Sequence, residues 1–389
     1  MSFLFPTYKR KEFQLQKGSG TYVYDENNNR YLDFTSGIAV TSLGHCHPEV
    51  VSAIKDQSEK IWHTSNLFKI EQQEVLAETL VKNTLLDLAF FCNSGAEANE
   101  AAIKLAKKFT GKNKIITFKD SFHGRTFGAM SATGQQKIKD GYGPLVSEFV
   151  HLPWNETEQL KKIADEDTAA IMMEVFQGEG GVRMADLAFY KEIQKICDEY
   201  HILLIIDEVQ TGIGRTGKRY AFKHFDLNPD IVTLAKGLGN GFPIGAMLGK
   251  DKLKTAFGPG SHGTTFGGSP LACAVSQSVL NIIFQDDFLK EVERKGNQFK
   301  ETLRDSLQSH PLVKEIRGKG LLIGIECERP VGRLIEWLEE QGLLTVPAGE
   351  KVIRLLPPLT VSDEELETAA AIINGLFKQF HTVSNAKDE

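Results

Sequence analysis

Two residues of this chain carry the clearest chemical signal. Lys236, in "DIVTLAKGLGNGFPIGA", follows a buried aliphatic run and is surrounded by Gly237, Gly239 and Gly241. A lysine in an apolar, glycine-lined site loses hydration, which lowers its pKa and frees the amine for Schiff-base chemistry. The glycines also leave room for a planar ring. Asp207, in "LLIIDEVQTGIGRTG", likewise ends a run of aliphatics, where a carboxylate is costly without a partner or a task. A suitable task is accepting a hydrogen bond from a cationic ring nitrogen. Each residue also has a plain reading. A lysine can snorkel beside a glycine turn, and an acid can close a loop.

Other segments add binding groups. In "FFCNSGAEANEAAIKLAKK", Ser94 and Glu97 have the spacing of a capping box that opens a helix. Gly95 and Ala96 then present bare N–H groups at the helix start, an arrangement that binds phosphate; the plain reading is a capped helix without a ligand. In "KDSFHGRTFGAMSATG", Phe122 can cover a ring face and Arg125 can fork onto a carboxylate, although core packing and a solvated charge account for them equally. Thr264 and Thr265 in "HGTTFGGSPLACA" offer hydroxyls to a phosphate or substrate, or simply cap a helix. Gly212, Gly214 and Gly217 fit the GxGxxG dinucleotide pattern, but neither a strand directly before it nor a helix after it is present, so that fingerprint is set aside. His45, Cys46 and His47 suggest a metal only until a second ligand pair is sought, and none is evident.

These groups need a scaffold. Apolar runs at 89–92, 114–118, 169–175, 202–206 and 231–234 read as buried strands, separated by helical patterns such as 97–108 and 187–200. That alternation predicts an α/β domain with a largely parallel sheet, whose ligands sit beyond the strands' carboxyl ends. Residues 21–34 read as a hairpin around an Asn-rich turn. A charged helix at 288–308, then "VKEIRGKGLLIGIEC", a helix and "VIRLLPPLT" suggest a smaller α+β unit; residues 381–389 are expected to fray. The 389 residues suffice for two domains, read as a large one at 46–275 and a small one from 1–45 with 276–389. A net charge of −6 argues against nucleic-acid and membrane surfaces. Five scattered cysteines form no CxxC pair, no apolar run is long enough to span a membrane, and no signal-peptide layout opens the chain, so the reading is cytoplasmic.

In order and spacing the whole set resembles the class III aminotransferases, which depend on pyridoxal 5′-phosphate (PLP). The matching segments run from "YLDFTSGIAVTSLGHCHPEV" through "FCNSGAEANEAAIKLA", "SFHGRT", "FQGEGGV", "LLIIDEVQTGIGRTG", "LAKGLGNGFPIGAMLG" and "HGTTFGG" to "IRLLPPLT". The resemblance implies the type I fold of PLP-dependent transferases: a mostly parallel seven-stranded sheet between helices, plus a smaller α+β domain. It implies that Lys236 holds PLP as a Schiff base and that Asp207 pairs with the ring nitrogen. Gln210 would bond the ring hydroxyl, Val209 and Phe122 would flank the ring, and Ser94, Gly95 and Ala96 would hold the phosphate. Thr265 would reach that phosphate from the partner subunit of a homodimer. Arg125 and Thr264 would contact the substrate, Arg354 would bind an α-carboxylate, and Glu179 would pair with Arg354 when an ω-amino donor is bound. The implied reaction is ping-pong transamination between N2-acetyl-L-ornithine and 2-oxoglutarate, giving N-acetyl-L-glutamate 5-semialdehyde and L-glutamate in arginine biosynthesis. Ornithine, succinylornithine and 4-aminobutyrate are alternative donors, and a PLP-dependent aminomutase is the alternative from another reaction class. The "GHCHP" motif is structural in this class.

Overall fold

The computed structural model describes residues 3–385, with side chains to residue 380. The chain opens with β1 (Leu15–Ser19), β2 (Tyr22–Asp25) and β3 (Arg30–Asp33). Its middle carries β4 (Leu88–Cys92), β5 (Lys114–Phe118), β6 (Phe149–Leu152), β7 (Thr168–Met173), β8 (Phe176–Gln177), β9 (Arg183–Met184), β10 (Leu203–Asp207), β11 (Ile231–Leu234) and β12 (Gly245–Gly249). It ends with β13 (Val313–Lys319), β14 (Leu322–Cys327), β15 (Leu343–Leu344), β16 (Val346–Ala348) and β17 (Val352–Leu355).

Seven strands form the main sheet in the order β4-β12-β11-β10-β7-β5-β6. All of them run parallel except β12, which is antiparallel to both β11 and β4. The mostly parallel seven-stranded sheet is therefore present. Every residue of β7, β10, β11 and β12 is buried. Covered on both faces, β7, β10 and β11 are mainly apolar without alternation, and the buried Thr233 hydroxyl of β11 is hydrogen-bonded. The helix Gly95–Thr110 crosses β12, β11 and β7 and turns Ala98, Ala101, Ala102 and Ala106 inward, small side chains that let it lie close to the sheet. The helix Leu187–Tyr200 packs on β10 and β7.

Strand β6 is not singled out in the sequence, and neither is β12. The first is a short edge strand, only partly buried. The second, "GAMLG", has low strand propensity because both ends are glycine. At Gly245 that is a requirement of packing: a Cβ there would collide with the carbonyl oxygen of Ser94.

The predicted hairpin is β2–β3. The Asp25 carboxylate holds its turn, accepting from the N–H groups of Asn27 (2.9 Å) and Asn29 (2.8 Å). The C-terminal strand β15 pairs in parallel with β3, which joins this hairpin to the end of the chain. A second small sheet has the order β13-β14-β17-β16. The expected charged helix runs Asp286–Leu307, and the last helix runs Asp363–Asn385, so helical backbone continues into the stretch expected to fray; 386–389 lie outside the described residues. Among the described residues, no helix is long and apolar enough to cross a membrane.

Candidate active site

Beyond the carboxyl ends of the parallel strands lies a cavity of about 390 Å³, large enough for a cofactor-sized ligand. Each wall belongs to a strand end. Asn93 and Ser94 follow β4, Phe122 and His123 follow β5, and Glu174 follows β7. Asp207 closes β10, and Lys236 comes two residues after β11.

Lys236 begins a 3₁₀ turn with φ of 44°, a left-handed conformation that is uncommon outside glycine. Strain of this kind, held where a side chain must point into a cavity, is a signature of a functional position. Among the described residues the Lys236 side chain makes no hydrogen bond or ion pair; only its carbonyl is engaged, accepting from the Gly239 N–H (3.1 Å). Its pKa is pushed down, chiefly by burial, while Glu179, Asp207 and Glu174 pull the other way and Arg354 adds to the depression. The shift favours the neutral, nucleophilic form of the amine. The glycines after it act differently from the expectation. A Cβ on Gly237 would meet Ser42 Oγ at 2.6 Å and one on Gly239 would strike the Phe242 carbonyl, so these two let the turn pack tightly. Only Gly241, with φ of 109°, lines the cavity.

Asp207 is fully engaged on its protein side. Its Oδ2 accepts from Asn99 Nδ2 (2.8 Å) and lies 2.8 Å from His123 Nδ1, while Oδ1 accepts from the Val209 N–H (2.9 Å). Asn99 is held in turn by the Thr233 hydroxyl (2.7 Å) and also donates to the His123 carbonyl (2.7 Å). The carboxylate is thus fixed in orientation and kept in a low-dielectric site, facing the cavity it lines.

The capped helix start expected at Ser94 is present, with one change. Ser94 caps the helix by accepting from the Glu97 N–H (3.2 Å), but Glu97 reaches back to the N–H of Asn93 (2.5 Å), one residue earlier than a standard capping box. Gly95 and Ala96 are the first two helical residues, whose N–H groups have no acceptor within the helix. A Cβ on Gly95 would lie 2.7 Å from Val209 Cγ1, so the bare backbone and Val209 fit together only as glycine and valine.

Glu179, Gln210, Phe122 and Arg125 also line the cavity, and an ion-pair cluster stands behind the first two. Arg354, buried on β17, donates to Glu179 Oε1 (2.6 Å), to Gln210 Oε1 (3.0 Å) and to the Pro347 carbonyl (3.2 Å). Burial works to raise the Glu179 pKa, yet the adjacent Arg354 guanidinium holds it below the usual carboxylate range. Gln210, implied as a ring-hydroxyl ligand, is therefore also a member of this ion-pair cluster. Phe122 lines the cavity with the exposed Arg125 guanidinium 5.9 Å from its ring centroid.

Several groups fall elsewhere. Thr264 and Thr265 lie outside the cavity wall. Thr264 Oγ1 accepts from Asn93 Nδ2 (3.2 Å) and Thr265 is exposed. The GxGxxG glycines serve packing: a Cβ on Gly214 would meet Ile283 Cγ2 at 2.5 Å, and one on Gly217 would meet Glu293 Cβ at 2.8 Å. Between them Arg215 is buried, its guanidinium bonded among the described residues only to carbonyls, Leu321 O (3.0 Å) and Pro357 O (2.5 Å), and burial lowers its pKa to about 9. His45 pairs with Asp33 (2.8 Å). Sequence reasoning missed Asn99 and Glu174. Asn99 is a lone polar residue on the alanine face of its helix, and Glu174 follows a buried run just as Asp207 does; both signals were legible.

These residues fit PLP. A buried lysine, an oriented carboxylate and a helix start of glycine and alanine surround one cavity, and a Cβ on Gly95 would collide with the cavity-lining Val209. The fold and this site define a PLP-dependent transferase. The profile of the family Aminotransferase class-III matches residues 6–377, and the chain belongs to that family, whose enzymes use PLP. It is 56% identical over 372 residues to the acetylornithine aminotransferase of Bacillus subtilis (strain 168), covering 95% of this chain and 96% of that protein. Among solved structures it resembles the N-acetylornithine aminotransferase of Stenotrophomonas maltophilia K279a, with a TM-score of 0.84 and 35% identity over 97% of this chain and 98% of that one. It also resembles the ornithine aminotransferase of Toxoplasma gondii, whose structure shows partial occupancy of PLP at the active site, with a TM-score of 0.92 and 34% identity over 96% and 92% of the two chains.

Proposed function

We propose that this enzyme transfers the δ-amino group of N2-acetyl-L-ornithine to 2-oxoglutarate, giving N-acetyl-L-glutamate 5-semialdehyde and L-glutamate, a step of arginine biosynthesis. The observation that carries this reading is the Glu179–Arg354 pair beside Lys236, in a chain more than half identical to an acetylornithine aminotransferase along nearly all its length. One pocket must bind an α-amino acid by its carboxylate in one half-reaction and a remote terminal amine in the other. An arginine with a removable counter-ion serves both.

When bound, PLP supplies a carbonyl that captures amines and a ring that takes up the electrons released at a C–H bond. The chain's own groups do the rest. Lys236 would hold the cofactor covalently and, once displaced, carry the proton away from the donor's Cδ. Asp207, fixed by Asn99 and His123, would face the ring nitrogen and keep it protonated. Val209 and Phe122 would flank the ring and Gln210 would meet its hydroxyl. Ser94, Gly95 and Ala96 would bind the phosphate, with Thr265 reaching it from the other subunit of a homodimer; the exposure of Thr265 suits that role. Arg125 and Thr264 would contact the acylated donor, and Arg354 would take the glutamate α-carboxylate.

The test is a half-reaction followed by the absorbance of the bound cofactor. Rapid loss of the long-wavelength band with N-acetylornithine, and its return with 2-oxoglutarate, is the expected result. Faster bleaching by unacylated ornithine would establish the second reading, an ornithine δ-aminotransferase, which the fold match to the Toxoplasma gondii enzyme favours.

A further inference from the structure

The carboxylate of Glu174, one residue beyond β7, is buried, and among the described residues no cationic side chain is bonded to it. Its Oε1 accepts from the Phe122 N–H (2.9 Å) and its Oε2 from the Gly178 N–H (3.0 Å). One side chain thus joins the loop that presents Phe122 to the loop that presents Glu179. The second loop is tied down elsewhere too. Its stem is the β8–β9 pair, Phe176 opposite Met184 and Gln177 opposite Arg183. Gln177 Nε2 donates to the Lys119 carbonyl (2.9 Å). From the small sheet, Arg317 on β13 donates through Nε to the carbonyls of Gly181 (3.0 Å) and Val182 (3.2 Å). At the tip, a Cβ on Gly178 would collide with the Gln210 amide and one on Gly180 would lie 2.8 Å from the Asp120 carbonyl. The backbone around Glu179 is therefore packed and bonded on every side, while the Glu179 side chain itself remains 29% exposed.

We propose that Glu174 and Arg317 are positioning residues for donor selection: they lock the 178–182 tip, so that Glu179 meets or leaves Arg354 by side-chain rotation alone. This rests on the counter-ion role given to Glu179 above. A buried carboxylate without a bonded cation is costly unless its hydrogen bonds serve a purpose, and here they fix a loop at the one place where a small displacement would misplace the counter-ion.

The test is a double-mutant cycle on holoenzyme. The readout is the ratio of kcat/KM for N-acetylornithine to that for glutamate, with the cofactor absorbance band recorded for each variant. Glu174→Gln keeps the shape but replaces one acceptor oxygen with an NH₂ group. It should lower the ratio roughly 3- to 10-fold, the size expected when one support of a positioned group is lost. In a Glu179→Ala background the same change should leave the ratio unmoved. Arg317→Lys, which cannot keep the forked contact with two carbonyls, should behave in the same way and replaces Glu174→Gln if that variant does not fold. If Glu179→Ala shifts the ratio and neither positioning variant does, the positioning role is overturned alone. An equal effect in both backgrounds overturns it too, since the residues would then not act through Glu179. If Glu179→Ala itself leaves the ratio unchanged, the counter-ion reading fails, and the positioning role with it.

Discussion

Removing Glu179 is the perturbation whose size the structure sets best. Arg354 is 1% exposed, and Glu179 Oε1 at 2.6 Å is its only charged partner among the described residues. After Glu179→Ala the guanidinium keeps only Gln210 Oε1 at 3.0 Å and the Pro347 carbonyl at 3.2 Å, and its Nε is already buried without a partner. Breaking a fully buried pair costs about 3–5 kcal/mol. Here the acid side is 29% exposed to the cavity and water can take its place, so about 1.5–3 kcal/mol, the range of a charge-assisted hydrogen bond, is the better figure. An α-carboxylate no longer has to displace Glu179, so the whole of that amount favours glutamate. The ratio of kcat/KM for glutamate to that for N-acetylornithine should therefore rise roughly 10- to 100-fold. Single-turnover bleaching of the cofactor band with each donor measures both constants on one protein sample. A ratio within about threefold of the unmodified enzyme, with the band intact, would refute the assignment of Arg354 as the shared carboxylate site.

Lys236→Ala should abolish turnover and leave no linkage that borohydride can trap; appreciable transamination by that variant would remove the lysine from the mechanism. Asp207→Ala strips Asn99 and His123 of their acceptor, so kcat should fall at least roughly 100-fold while some PLP still binds; an unchanged rate would assign the acid another role. Gly95→Ala places a methyl 2.7 Å from Val209 Cγ1 and forces the helix start and Val209 apart, so PLP affinity should drop roughly tenfold by equilibrium dialysis; unaltered affinity would move the phosphate elsewhere. Burial pushes the Glu208 carboxyl up to about 7 although Ala221, Phe222 and Thr211 donate to it. Because the folded form holds this proton more tightly than the unfolded chain, stability falls as pH rises from about 4.5 to about 7. Glu208→Gln removes that slope, so the stability advantage of the unmodified enzyme should narrow by roughly 3 kcal/mol over this window, and a constant difference in thermal midpoints would contradict the burial argument.

What the sequence made legible was cost. Asp207 and Lys236 each end a run of aliphatics, and a polar group in that position is unfavourable unless it is used, so both stood out without any knowledge of their surroundings. Glu174 carries the same mark after "AAIMM" and was open to the same inference. Partners were not legible in this way. The Arg354–Glu179 contact joins β17 of the small sheet to a loop after β7 of the large one, and local pattern alone does not specify which strands meet. That pair entered only through family resemblance. Of the glycines, Gly237 and Gly239, expected to leave room for a ring, misled for a related reason. Gly237, Gly239, Gly214 and Gly217 mark places where backbone meets a neighbour, and the sequence reports that something is close without saying whether it is a ligand, a helix or a carbonyl. Strand β12 was hidden by this ambiguity, since Gly245 weakens the strand pattern in order to admit Ser94, the residue that caps the helix Gly95–Thr110. A single chain's sequence therefore exposes the groups whose burial demands a reason, and the fold supplies the group that meets each of them from another element.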